Sequence, residues 1–513
     1  YTGATTVNAG TLALGHATDT LATGTAVTVA GGTAILSLGA NSDTVASLAV
    51  SGGGTVSGSG TLTGATYTLD AATIGANLGT GTLTKTATGT ATLNGSSAAT
   101  TVTVTAGGVL TLGAAERLAD AAAVTVDGTL NLGGAETIGS LAGAGTGSVV
   151  NGGFLLTVGD AASSTSFAGV ISGLGGLTKA GASTQTLAGT NTYSGATTIN
   201  AGTLALGHAT DTLATGTAVT VAGGTAILSL GANSDTVASL AVSGGGTVSG
   251  SGTLTGATYT LDAATIGANL GTGTLTKTAT GTATLNGSSA ATTVTVTAGG
   301  VLTLGAAERL ADAAAVTVDG TLNLGGAETI GSLAGAGTGS VVNGGFLLTV
   351  GDAASSTSFA GVISGLGGLT KAGASTQTLA GTNTYSGATT INAGTLSVAT
   401  IGNGGVAGNL GAATNAAANL VLGGGTLQYT GATASTDRNF TLTAGATSSI
   451  DVTVGATNLT FAGASTATTG ALTKVGAGTL TLSGTNLYTG ATTVNAGTLA
   501  LGHATDTLAT GTA

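Results

Sequence analysis

Residues 1–192 of this chain recur as residues 193–384 with only two changes, Thr2 to Ser194 and Val7 to Ile199. A chain that states one sequence twice builds one structural unit twice, and such units bury their faces against their neighbours. A shorter diverged unit follows at 385–487, and residues 488–513 repeat residues 1–26 letter for letter. The domain organisation expected is therefore 1–192, 193–384, 385–487 and the start of a further copy at 488–513. Because the sequence stops inside that copy, we expect a longer polypeptide continuing in both directions.

A finer period lies inside the long unit. Val102 and Val104 of "TVTVTAGGVLTL" are followed by Val124 and Val126 of "AVTVDGTLNL", a step of 22 residues. Approximate partners stand at Val7, Val29, Val50 and Leu69, then at Val150, Ile171 and Ile199. Nine such steps of about 21 residues fill the unit, a length within the range of stacking repeats. Within each step, apolar Val102, Val104, Leu110 and Leu112 alternate with Thr101, Thr103, Thr105 and Thr111, the period-two pattern of a half-buried strand. "AGG", "DG" and "GG" supply corners that need positive φ. The fold class expected is all-β, a right-handed parallel β-helix (β-solenoid) with about 21 residues per turn and roughly 24 turns. At ~4.8 Å per turn it makes a rod of about 115 Å. One stretch departs from the pattern: "GAAERLADAAA", Gly113 to Ala123, predicts a short helix or loop at a corner, with Arg117 pairing Asp120 at i,i+3.

Composition narrows the function. Charged residues make up 5% of the chain, with 96 Gly and no Pro, Cys, Met or Trp. The regular Val and Leu placement argues against disorder. Eight Lys or Arg against a net charge of −11 exclude nucleic-acid binding, which depends on clustered cations. No apolar run reaches the length of a membrane-spanning helix. With neither a starting Met nor a signal peptide, the sequence reads as a mature form or as a window of something longer.

"LTKVGAGTLTLSGTNLYTGATTVNAGTL", Leu472 to Leu499, has close copies, "LTKAGASTQTLAGTNTYSGATTINAGTL", starting at Leu177 and at Leu369. These segments resemble the autotransporter-associated β-strand repeat, also called the passenger-associated transport repeat, with "ASTQ" standing for "AGTL" in the first two. "ERLADAAAVTVDGTLNLGGAETIGSLAGAG" from Glu116 is also similar to passenger-domain sequence. The resemblance implies a right-handed parallel β-helix exported across the outer membrane of a Gram-negative bacterium, then displayed on the cell surface or released.

Candidate chemistry is sparse. His16, His208 and His503 are one position, "LGHATDTL", in three copies. His16 and Asp19 read as corner residues, since their local spacing implies no triad geometry. Lys85, Arg117 and Lys179 read as scattered cations, unlike the clustered Asp, Lys and Arg of the pectate lyases that share such folds. Asp43, Asp70, Asp127 and Asp160 are isolated, so no metal site is expected. "GAGTGS" at Gly143 lacks the Lys of a phosphate loop, and Asn94-Gly95-Ser96 fits an N-glycosylation acceptor only by pattern.

No catalytic, cofactor-binding or metal residue is therefore assigned, and the protein is read as no enzyme. The reading is a structural extracellular β-solenoid acting as filament, stalk or adhesin passenger at the cell surface of a Gram-negative bacterium. Its expected partners are further copies of itself, end to end or in a longer covalent array, and host-cell or biofilm-matrix surfaces. The alternatives are a β-helix that binds or cleaves polysaccharide, or an ice-binding solenoid. Against the last, the T-x-T pairs in "TVTVT", "TLTKT" and "TLTLS" read as irregularly spaced. An inward charge such as Val104→Asp is expected to break the stack locally.

Overall fold

Strand pairs, each one turn apart in sequence, stack in parallel through the chain. The structure, a computed structural model, describes residues 1–159, 164–351, 355–503 and 508. Asp160 and most of the segment after His503 lie outside the described residues. Among the described residues there are 58 strands and no α-helix; a 3-10 turn, Ala417–Asn419, is the one helical element. The fold is an all-β solenoid of about 24 turns. Contacts divide the chain into two compact units, Tyr1–Ala257 and Thr258–Ala513.

In the first unit the chain visits three faces in rotation. One face runs from Thr5–Val7 through Ala26–Ala30 and Thr82–Lys85 to Ser140–Ala142. The next runs from Gly10–Ala13 through Ala34–Gly39 to Val170–Gly173. A strand ladder on the third face starts at Glu136–Ile138 and continues through Leu177–Lys179, Thr197–Ile199 and Ala218–Ala222. Alternation places every second side chain in the bore, as pleating requires. On the first face one inward column reads Val7, Val29, Val50, Leu69, Lys85, Val104, Val126. The first four are the partners that the sequence pattern marked.

The later marks correct differently. Val149, not Val150, pairs with Ile171 on the second face. Ile199 stands on the third face, between Lys179 and Val221. Nor is the step constant, for it falls from 22 residues between Thr5 and Val27 to 16 between Tyr67 and Leu83. In that shortest turn the buried Tyr67 fills the bore, its hydroxyl accepting the Gly64 amide at 2.8 Å. The corner makes room because Gly81, at φ 145°, lies where a Cβ would come within 2.3 Å of the Gly64 carbonyl. Variable corners mean that 192 residues cover more than the nine turns expected.

"GAAERLADAAA" forms no helix. Glu116 adopts φ 49°, and the buried carboxylate of Glu136 accepts the Arg117 and Leu118 amides at 2.9 and 2.7 Å. Those amides are thereby withdrawn from any helical ladder. The Arg117 guanidinium donates to the carbonyls of Ala115 and Asn94 instead of pairing Asp120.

The second unit continues the same stacking, with Thr274, Leu275, Thr276 and Lys277 opposite Thr293 to Val296. In the diverged segment one turn lengthens, so that Thr389 pairs with Leu420. The added corner is held by the buried Arg438, which donates from Nε to Gly402 O at 2.9 Å and from Nη2 to Gly411 O at 2.8 Å.

Candidate functional site

The polar letters of the repeated motif are the obvious candidates for chemistry, and each is committed to a backbone group at a corner. Lys179 ends an inward-facing strand position with its side chain in the bore. Its Nζ donates to Ala180 O, to Gly181 O at 2.9 Å and to Ala201 O at 3.5 Å, the last belonging to the next turn. Lys371 and Lys474 repeat the arrangement, Lys474 reaching Ala496 O at 3.2 Å. Lys85 and Lys277 sit likewise in the bore, Lys85 donating to Thr86 O and Thr88 O, both at 2.6 Å. Burial pushes the ammonium pKa of Lys179 down, as desolvation disfavours the charged form. Lys85 and Lys179, read from sequence as scattered cations, are thus corner staples. The signal was present: Leu83 and Lys85 alternate as Val102 and Val104 do.

Asn191 ties three turns together. Its Oδ1 accepts the Ile171 amide at 2.8 Å, while Nδ2 donates to Gly189 O at 3.1 Å and Thr212 O at 2.7 Å. Two residues on, Tyr193 is fully buried, and its hydroxyl meets Thr197 Oγ1 at 2.6 Å. Tyr385 with Thr389 and Tyr488 with Thr492 repeat this pair. Burial raises the Tyr385 phenol pKa to about 12, so it stays neutral.

Carboxylates hold the remaining corners. Asp43 accepts the Leu21 amide at 2.9 Å as Glu136 accepts that of Leu118, and in both cases a buried Leu follows a residue with positive φ, Asp19 or Glu116. Burial raises the Glu136 pKa to about 7, partly offset by the two amides, and burial raises that of Asp235 to about 6. The neutral form of Glu136 is therefore favoured by folding. The stability it contributes is full below the ordinary value of 4.5 and lost as pH rises through about 7. Calorimetry between these limits is expected to show a melting temperature that falls with rising pH, and Glu136→Gln with Glu328→Gln should flatten the slope. An unchanged slope in that double variant would remove these carboxyls as its source.

The histidine loops assemble no triad. His16 and His208 are turned onto their own loops, Nδ1 against the carbonyls of Thr18 and Thr210. His503 is exposed. Among the described residues no group of three or more His, Asp or Glu is placed to hold a metal ion. Beside the second of these loops lies an open cleft of about 440 Å³, lined by Thr190, Asn191, Thr192, Asp211, Leu213 and Thr215. Asn94 is exposed, with its carbonyl taken by Arg117. Gly143 of "GAGTGS" lies against Val126 O, where a Cβ would approach to 2.0 Å, so it is a tight corner.

The Thr pairs correct the sequence reading. Thr66 and Thr68 stand opposite Thr82 and Thr84, and these opposite Thr101 and Thr103. Pairs that look irregular along the chain fall into register because the turns between them differ in length to compensate.

Fold and site together define a repeat solenoid whose buried polar groups secure backbone corners. Residues 1–14, 177–206, 369–398 and 472–501 match the family model of the passenger-associated-transport-repeat. The chain therefore contains this repeat, and its lysine, asparagine and tyrosine are the corner residues just described. It is also 39% identical over 109 residues to the adhesin BmaC autotransporter of Brucella suis biovar 1 (strain 1330). That match covers 21% of this chain and 3% of the relative. No solved structure matches the chain. No helix among the described residues is long and apolar enough to cross a membrane.

Proposed function

We propose that the chain is part of an extracellular adhesin passenger of a Gram-negative bacterium, a non-catalytic solenoid that acts as stalk or filament and presents surface loops. One observation carries the reading: the buried Lys, Glu, Asn and Tyr side chains pair with backbone or a neighbouring Thr at corners, leaving no convergent acid, base or nucleophile. The transport-repeat matches and the adhesin relative support surface display. Further copies of the chain, joined covalently or stacked end to end, and host-cell or matrix surfaces are the partners this reading assigns. The test is to fuse the chain to an autotransporter barrel and display it on a non-adherent bacterium. Adhesion to cells or to a biofilm matrix is expected to rise at least tenfold over the barrel alone, and no gain would refute the adhesin role.

Two observations favour alternative readings. The hydroxyl-lined cleft with the Asp211 carboxylate suits a saccharide, which a glycan-binding and glycan-cleavage screen tests. The in-register Thr grid, with rungs about 4.8 Å apart, suits ice, and thermal hysteresis at micromolar protein tests that.

A further inference from the structure

We infer that successive copies of the 192-residue unit present the same surface loops on successive faces of the solenoid, a third of a turn apart, so that an array displays its contacts all round and suits a partner coated with many identical ligands. The inference is independent of which ligand the loops contact. It follows from counting turns within the first unit. From Thr5–Val7 the first face proceeds by pairing through Val27, Leu48, Tyr67, Leu83, Val102 and Val124 to Leu141. The strand ladder then breaks, but the face does not. Gly143 bridges Phe167 in parallel, and the Ala168 amide donates to Gly143 O at 3.0 Å. Thr165–Phe167 thus continues the first face, and Gln185 pairs with Thr165 after it.

Gln185 secures this handover. Buried in the bore, it donates from Nε2 to Leu141 O at 2.9 Å and its Oε1 lies 3.3 Å from the Leu141 amide, two turns back on the same face. The fully matching motif has Leu480 at this position, so the departure from the motif is the residue that spans the break. Thr5 to Gln185 is then nine turns. The copy of Thr5–Val7 is Thr197–Ile199, which comes two faces later, in the ladder of Leu177–Lys179 and Ala218–Ala222. Likewise Gly10–Ala13 lies on the second face, whereas its copy Gly202–Leu206 pairs with Thr184–Leu187 on the first. The unit therefore spans nine turns and two faces. Each copy starts one face back from its predecessor, and three copies return to the starting face.

The absence of Cys makes labels unambiguous. Thr18→Cys with Thr210→Cys, equivalent exposed loop positions in the first unit, would be coupled to small gold particles in the full chain and imaged by cryo-electron microscopy. The two particles are expected on different sides of the solenoid, a third of a turn apart. A control pair, Thr28→Cys and Thr125→Cys, lies in one outward column and must align along the axis. Ala142→Cys with Ser166→Cys, outward positions placed opposite each other by the Gly143–Phe167 bridge, is expected to form a disulfide on mild oxidation. Aligned particles on the loop pair, with the control pair aligned, would overturn the inference, as would failure of the handover disulfide in folded protein.

Discussion

A Val29→Asp chain is expected to lose at least about 4 kcal/mol of local stability, because an unpaired carboxylate in an aliphatic bore has neither water nor a cation to compensate it. Val29 is fully buried between Val7 and Val50 in the inward column of the first face. In a stacked array each turn contacts only its neighbours, so the damage should stay near those three rungs. Hydrogen exchange read segment by segment is the suitable measurement, with the outward Thr28→Asp as the control. Val104→Asp is the informative comparison. In the same column it stands directly opposite Lys85, whose ammonium is already inside the bore. An aspartate there gains a cation partner, and its cost should be about half that of Val29→Asp. Equal losses at both sites would mean that Lys85 cannot leave the Thr86 and Thr88 carbonyls to pair with it.

Lys179→Met is expected to destabilise its corner by about 3 kcal/mol, despite keeping an unbranched apolar stem of similar length. The reason is the asymmetry of hydrogen bonding: removing the ammonium strands the Ala180, Gly181 and Ala201 carbonyls that Nζ serves. Because Ala201 belongs to the following turn, exchange should rise on both turns. Thr178→Met, on the outward side of the same strand, should do little. A Lys179→Met chain as well protected as the parent would show that the corner holds without its staple, and that the lysine of the motif serves something other than stability. The adjacent Gly159 makes a second probe of the same place: a Cβ there would lie 2.8 Å from Lys179 Nζ and 1.7 Å from Ala180 O, so Gly159→Ala should also loosen it.

Much of this architecture was legible residue by residue. Alternation of Val with Thr placed strands, Gly pairs placed corners, and the spacing of Val7, Val29, Val50 and Leu69 gave a true column of the bore. The roles of Lys85, Lys179 and Gln185 were not legible by charge or polarity, since a polar letter on an inward position is understood only when its backbone partners are known. Asn191 is the clearest case, for its three partners lie on the turns before, within and after its own. The ladder of Thr66, Thr82 and Thr101 was hidden for a related reason, because turns of unequal length bring unevenly spaced letters into register.

By itself, then, the sequence determined that this chain is a parallel β-solenoid built from copied units, because strand periodicity and glycine corners are local properties that each turn states again. Only the tertiary structure decided how many turns a copy fills and which face each copy begins on. Those depend on steps that range from 16 to 22 residues, set by corners that buried carboxylates, lysines and Gln185 fix through hydrogen bonds between turns.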